Sequence, residues 1–215
     1  MTWIKICGIT NLADAQLAVS LGVNALGFIF TSSKRQVKGE TVREIVSSLP
    51  QKVEKIGVFL DQAEEEVKGI AEYCGLTGIQ FHGSEPPEYC KKFSGYRVIK
   101  AFRINQSAGW DKIPLYLKDQ AINNILLDTF VLGVPGGTGM TFPWELVRSF
   151  DFCQMPVIMA GGINPSNVNR AISEALPFGI DVGSGVEEEP GRKDPDKLRE
   201  LVSKVRYRRM NRYGA

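Results

Sequence analysis

Three features of this sequence could do chemistry together. Cys7 stands in Lys5-Ile6-Cys7-Gly8-Ile9-Thr10, and Asp128 ends the apolar run Ile125-Leu126-Leu127-Asp128. Glycines recur in Met159-Ala160-Gly161-Gly162-Ile163-Asn164-Pro165-Ser166 and in Asp181-Val182-Gly183-Ser184-Gly185-Val186-Glu187. A thiol ionises near 8.5, lower beside a cation such as Lys5, and its thiolate is a nucleophile or a base. Taken alone, a strand cysteine is more often a small core residue. A carboxyl partly withdrawn from water holds its proton longer and suits a general acid. The plainer reading of Asp128 is a turn or helix cap, but the next helical pattern starts only near Pro143. Glycine turns admit close approach of backbone N–H groups to a phosphate, and a following helix N-terminus favours its charge. One such turn could be mere loop geometry; two on successive units favour a phosphate site.

The elements that must position these residues alternate. Strand-like runs begin near Trp3, Ala25, Lys55, Gly78, Arg97, Asn124, Pro156 and Phe178. Between them lie runs such as 13–21, 39–49, 63–74 and 166–176 with apolar residues three and four apart, a helical period. Eight βα units with no linker or composition break predict one domain, either a closed (β/α)8 barrel or an open doubly wound sheet. Cys7-Gly8-Ile9-Thr10 after the first strand does not fit a dinucleotide fingerprint. The glycine loops follow late strands, where barrels hold phosphate, so the expected fold is a single-domain (β/α)8 TIM barrel over 1–205. Residues 206–215 are expected to form a basic C-terminal tail, frayed and solvated.

Strand alternation assigns Lys5, Cys7, Gln80, His82, Lys100 and Asp128 to the barrel interior. Cys7, His82 and Asp128 fall at C-terminal strand ends, where barrel active sites are built. A lone strand histidine is nonetheless more often structural. The 14 residues from Thr129 to Phe142 carry Gly133, Gly136, Gly137 and Gly139, long enough for a lid.

Composition excludes several classes. The formal charge is +2, and five basic residues with no acidic one lie beyond Ser203, so the basic balance belongs to the tail. Neither zinc-finger spacing nor an RNA-recognition signature is present, so nucleic acid is not an expected partner. No run approaches ~18 apolar residues, so no membrane span is expected. The N-terminus enters a strand directly, and a cytoplasmic location is expected. One histidine and no C-x-x-C pair argue against a metal. Cys74, Cys90 and Cys153 read as small buried thiols. An acid and a base facing one cavity beside a phosphate site suggest proton transfer on a small phosphorylated molecule, with no flavin, nicotinamide or metal cofactor.

At these residues the chain resembles the phosphoribosylanthranilate isomerase family over nearly its whole length. The matching segments are Lys5–Thr10, Gly27–Phe30, Ser33–Arg35, Gly57–Phe59, Gln80–Gly83, Leu127–Asp128, Gly136–Gly139, Ala160–Gly162, Asp181–Glu187 and Pro190–Asp194, in order. The resemblance implies an Amadori rearrangement in tryptophan biosynthesis, with a phosphosugar substrate and a monomeric or homodimeric enzyme. Asp128 would protonate the furanose oxygen and Cys7, as thiolate with a lowered pKa, would take the C2 proton. Arg35 would pair with the anthranilate carboxylate; Gly161, Gly162, Gly183 and Ser184 would hold the phosphate; Gln80, His82 and Asp181 would line the site.

The chain departs from the family pattern at Gly183, usually serine, at Phe81, usually leucine, and at Pro143, usually aspartate. Alternatives are another phosphate-binding barrel isomerase or lyase, or a non-catalytic barrel that binds phosphosugars. Paired aspartates in the histidine-pathway isomerase, and catalytic lysines in indole-glycerol-phosphate synthase, fit this sequence less well than Cys7 with Asp128.

Overall fold

The computed structural model describes residues 1–118, 121–129 and 143–207. Eight parallel strands close into a barrel in chain order: β1 (Trp3–Cys7), β2 (Ala25–Ile29), β3 (Glu54–Phe59), β4 (Gly78–Phe81), β5 (Arg97–Ile104), β6 (Asn124–Thr129), β7 (Val157–Met159) and β8 (Gly179–Val182). β8 returns to pair with β1, placing Asp181 beside Lys5 in register. The helices are α1 (Leu12–Ser20), α2 (Gly39–Ser47), α3 (Glu64–Cys74), α4 (Pro87–Lys91), α5 (Ile113–Leu117), α6 (Leu146–Ser149), α7 (Val168–Ala175) and α8 (Pro195–Tyr207). After β8 a short antiparallel hairpin, β9 (Glu187–Glu189) with β10 (Arg192–Lys193), precedes α8. No helix among the described residues is long and apolar enough to cross a membrane.

Local chemistry accounts for these boundaries. Asn11 caps α1 by accepting from the Asp14 amide at 2.9 Å. α3 opens on Glu64, Glu65 and Glu66, complementing the helix dipole, and stops at Gly75 in left-handed backbone.

Two apolar layers follow from strand alternation. Trp3, Ala25, Ile56, Ile99, Ala101, Leu126, Ile158 and Ala160 fill the barrel interior. Ile4, Ile6, Ile79, Phe81, Ile125, Leu127, Ile180 and Val182 face the helices, within the larger core cluster.

Three expectations need correction. Lys100 does not point inward: Ile99 and Ala101 occupy the interior, whereas Lys100 lies on the helix side and pairs with Glu85 at 3.0 Å. Both faces of β5 are buried, so its alternation carried little information, and Glu85 supplies the countercharge that makes the outer side habitable. Cys153 is exposed, in a left-handed turn before β7. Arg206 and Tyr207 belong to α8 rather than to the tail; Arg206 donates to Thr2 O at 3.1 Å and Gly22 O at 2.7 Å. The rest of the tail, 208–215, and the lid candidate beyond Thr129, 130–142, lie outside the described residues.

Candidate active site

The C-terminal rim gathers most of the chemistry read from the sequence. Cys7 ends β1, His82 follows β4, Asp128 lies in β6, and the two glycine loops follow β7 and β8. Lys5 and Gln80 lie a layer deeper, 0% and 2% exposed. Gly27 on β2 makes room for this layer, since a Cβ there would sit 2.7 Å from Cys7 Sγ and 2.8 Å from Lys5 Cε.

A polar chain crosses the interior. Lys5 Nζ donates to Asp181 Oδ2 at 2.8 Å and to Gln80 Oε1 at 2.7 Å. Gln80 Nε2 meets His82 Nδ1 at 3.2 Å, and His82 Nε2 lies 3.4 Å from Asp128 Oδ2. Burial opposes the Lys5 charge, but Asp181 and Cys7 more than offset it and raise its pKa. Asp181 Oδ1 is buried without a hydrogen-bond partner among the described residues.

The thiol departs from its expected state. Burial pushes the Cys7 thiol up and outweighs the downward pull of Lys5 and Lys193. The inward cation is present, but desolvation of a thiolate is the larger effect here. In this site burial favours the protonated thiol over the thiolate.

Arg35, in the loop after β2, reaches back over the β1 rim: a Cβ on Gly8 would sit 2.7 Å from Arg35 Cδ. Its Nε and Nη2 donate to Glu187 at 2.9 and 2.7 Å. Glu187 also accepts from Lys193 Nζ at 2.8 Å. Lys193 in turn donates to Cys7 O at 2.7 Å and Gly183 O at 3.2 Å, tying the ends of β1 and β8 together. Burial opposes the Glu187 charge, but Arg35 and Lys193 win and hold its carboxyl below the usual range. For Lys193, burial outweighs the attraction of Glu187, and its pKa is lowered. Neither Glu187 nor Lys193 stood out as a site residue in the sequence, because a Glu and a Lys in a polar loop look like solvated charges. The signal was indirect: both lie within segments that carry the family resemblance.

The glycine loops are built for close approach. Gly161 and Gly162 have φ of +78° and +68°, and a Cβ on Gly161 would come 2.5 Å from the Thr129 amide nitrogen. Asn167 Nδ2 donates to Gly162 O at 2.9 Å, fixing the turn that leads into α7. The amides of Gly161, Gly162 and Ser184 have no acceptor among the described residues. Gly185 is packed so closely on Ile163 O that a Cβ would overlap it. Gly183 is looser, with Cys7 O at 3.6 Å from an added Cβ.

A (β/α)8 barrel with a thiol, a carboxyl and two glycine turns on its C-terminal rim has the layout of a barrel enzyme. The family model for N-(5'phosphoribosyl)anthranilate (PRA) isomerase matches residues 4–204. N-(5'-phosphoribosyl)anthranilate isomerase of Desulforudis audaxviator is 45% identical over 211 residues, covering 96% of this chain and 98% of that protein. Phosphoribosyl anthranilate isomerase of Thermotoga maritima superposes with a TM-score of 0.87 at 37% identity, covering 96% of this chain and all of that one. A solved phosphoribosyl anthranilate isomerase in complex with reduced 1-(o-carboxyphenylamino)-1-deoxyribulose 5-phosphate gives a TM-score of 0.83 at 36% identity over the same shares. The chain belongs to the N-(5'-phosphoribosyl)anthranilate isomerase family.

Proposed function

We propose that this chain is a cytoplasmic isomerase of tryptophan biosynthesis that converts N-(5'-phosphoribosyl)anthranilate to 1-(2-carboxyphenylamino)-1-deoxyribulose 5-phosphate. The observation that carries the mechanism is the placement of Cys7 and Asp128 on the same rim, beside the two glycine turns. The amides of Gly161, Gly162 and Ser184 hold the phosphate, with Gly183 giving it room. Arg35 takes the anthranilate carboxylate through the guanidinium hydrogens that Glu187 leaves uncommitted.

Asp128, as the acid, delivers its proton to the furanose oxygen; the ring C–O bond breaks and the anilino nitrogen becomes the nitrogen of a protonated Schiff base. Cys7, as thiolate, removes the proton from C2, and the electron pair of that C–H bond neutralises the Schiff base to an enolamine. The enolamine then takes a proton at C1 and releases its enol proton, giving the ketone. The enzyme has then lost a proton at Asp128 and gained one at Cys7, so exchange with solvent must reset both. The working form is thus a thiolate with a protonated carboxyl, and the cationic Schiff base favours that thiolate by opposite charge.

Turnover of phosphoribosylanthranilate generated in situ, with chelator present, tests the reading. Wild type, Cys7→Ser and Asp128→Asn are compared, each acid–base step being worth about 10²–10⁴-fold. Folded wild type without turnover would sink the assignment; full activity in either variant would remove that residue from its role.

A further inference from the structure

We infer that Lys5, acting through Gln80, fixes the tautomer of His82 and so puts the ring's single N–H on Nε2, the nitrogen on the Asp128 side. Gln80 and His82 are thereby positioning residues for the acid. The catalytic consequence rests on the role proposed above for Asp128; the tautomer itself rests on hydrogen-bond inventory.

The argument starts at the ammonium. Lys5 Nζ carries only donors, and it lies 2.7 Å from one end of the Gln80 amide. That end must be the carbonyl oxygen, because a flipped amide would set NH2 against NH3⁺. The other end of the amide then carries only donors, and it faces His82 Nδ1 at 3.2 Å. A hydrogen on Nδ1 would oppose it, so Nδ1 keeps its lone pair and the ring hydrogen sits on Nε2. Nε2 lies 3.4 Å from Asp128 Oδ2. Asp181 on the far side of Lys5, at 2.8 Å, supplies the countercharge that keeps the ammonium charged in a fully buried position. Each donor and acceptor sense along the chain is thus dictated by the one before.

His82 is the one histidine of the chain, so a ring-¹⁵N histidine spectrum of the full-length protein reads this ring alone. The expected wild-type spectrum shows a pyridine-like Nδ1 and a pyrrole-like Nε2. The reverse pattern, or the averaged shifts of a ring exchanging tautomers, would overturn the inference. Gln80→Glu replaces the donor facing Nδ1 by an acceptor, and Nδ1 is expected to become pyrrole-like; an unchanged spectrum would also overturn it. Should that variant fail to fold, Gln80→Met removes both partners, and shifts averaged between tautomers are then expected in place of a locked ring. A ring still locked as in wild type would count against Gln80. In turnover assays kcat of Gln80→Glu is expected to fall roughly 10- to 100-fold with KM little changed, the range for losing an orienting outer partner. Unchanged kcat with an altered tautomer would reject the positioning role. The nitrogen spectra need no substrate, so a failure of the proposed reaction is read separately.

Discussion

Glu187 grips Arg35 from the side. Nε and one hydrogen of Nη2 are committed to its carboxylate, leaving both hydrogens of Nη1 and the second of Nη2 for another acceptor. A planar fork held along one edge presents the other edge with little rotamer freedom left to lose.

Arg35→Lys cannot serve two carboxylates in this way. It is expected to raise KM for phosphoribosylanthranilate about 10- to 100-fold, matching a charged hydrogen bond worth roughly 1.5–3 kcal/mol, with a smaller change in kcat. Glu187→Gln should raise KM in the same direction by loosening the guanidinium. Steady-state kinetics checks both, and a kcat-only effect would place Arg35 elsewhere in the cycle.

Burial holds the Cys7 thiol above its ordinary value, so its folded state favours the protonated form and thiolate appears only as pH rises. Iodoacetamide labelling of a Cys153→Ser background, which removes the exposed competitor, should be slow at neutral pH and still climbing past pH ~8.5, where an ordinary thiol is half ionised. Cys90, pushed up to about 12 by burial, stays silent in this window. A labelling midpoint below that of free cysteine would show that Lys5 and Lys193 prevail over desolvation.

The two glycines after β8 should respond oppositely. Gly185→Ala drives a Cβ into Ile163 O and is expected to cost roughly 1–3 kcal/mol, lowering Tm by about 2–12 °C and weakening inorganic phosphate binding. Gly183→Ser, with its nearest contact at 3.6 Å, should fold with unchanged Tm and bind phosphate at least as well. Thermal melts and phosphate titration separate the two. Equal losses in both would mean that the loop is uniformly tight.

Asp181→Asn strips the buried Lys5 of its countercharge and is expected to destabilise the fold by about 3–5 kcal/mol. The double change Lys5→Met with Asp181→Leu should recover much of that loss in denaturant unfolding while leaving turnover impaired. Recovery of both would show that the pair serves the core alone.

Much of this was legible beforehand, for physical reasons that differ by element. Strands β1 and β6 declare their inward residues, because the polar Lys5 and Asp128 alternate with Ile4 and Ile6, or with Ile125 and Leu127, which pack toward the helices. The glycine loops were legible because few other residues permit those turns. β5 was not, since Lys100 shares its face with the apolar Val98 and Phe102 and found Glu85 on that outer side. The raised thiol of Cys7 was hidden because a sequence shows a neighbouring lysine but not the depth at which the two are packed. Glu187 and Lys193 were hidden because their burial depends on a hairpin folding back across the ends of β1 and β8.

Arg206 bonds to Thr2 O at the edge of β1 remote from Cys7, so the first strand and the last helix are fastened side by side on the face opposite the chemistry. A short peptide bridge between these two points would run along that face. The covalent order of the eight units could then be rotated, with new ends cut into another loop on the same side, while the reacting groups kept their neighbours. What the barrel asks of its sequence is a cyclic order, and the place where the chain starts is secondary to it.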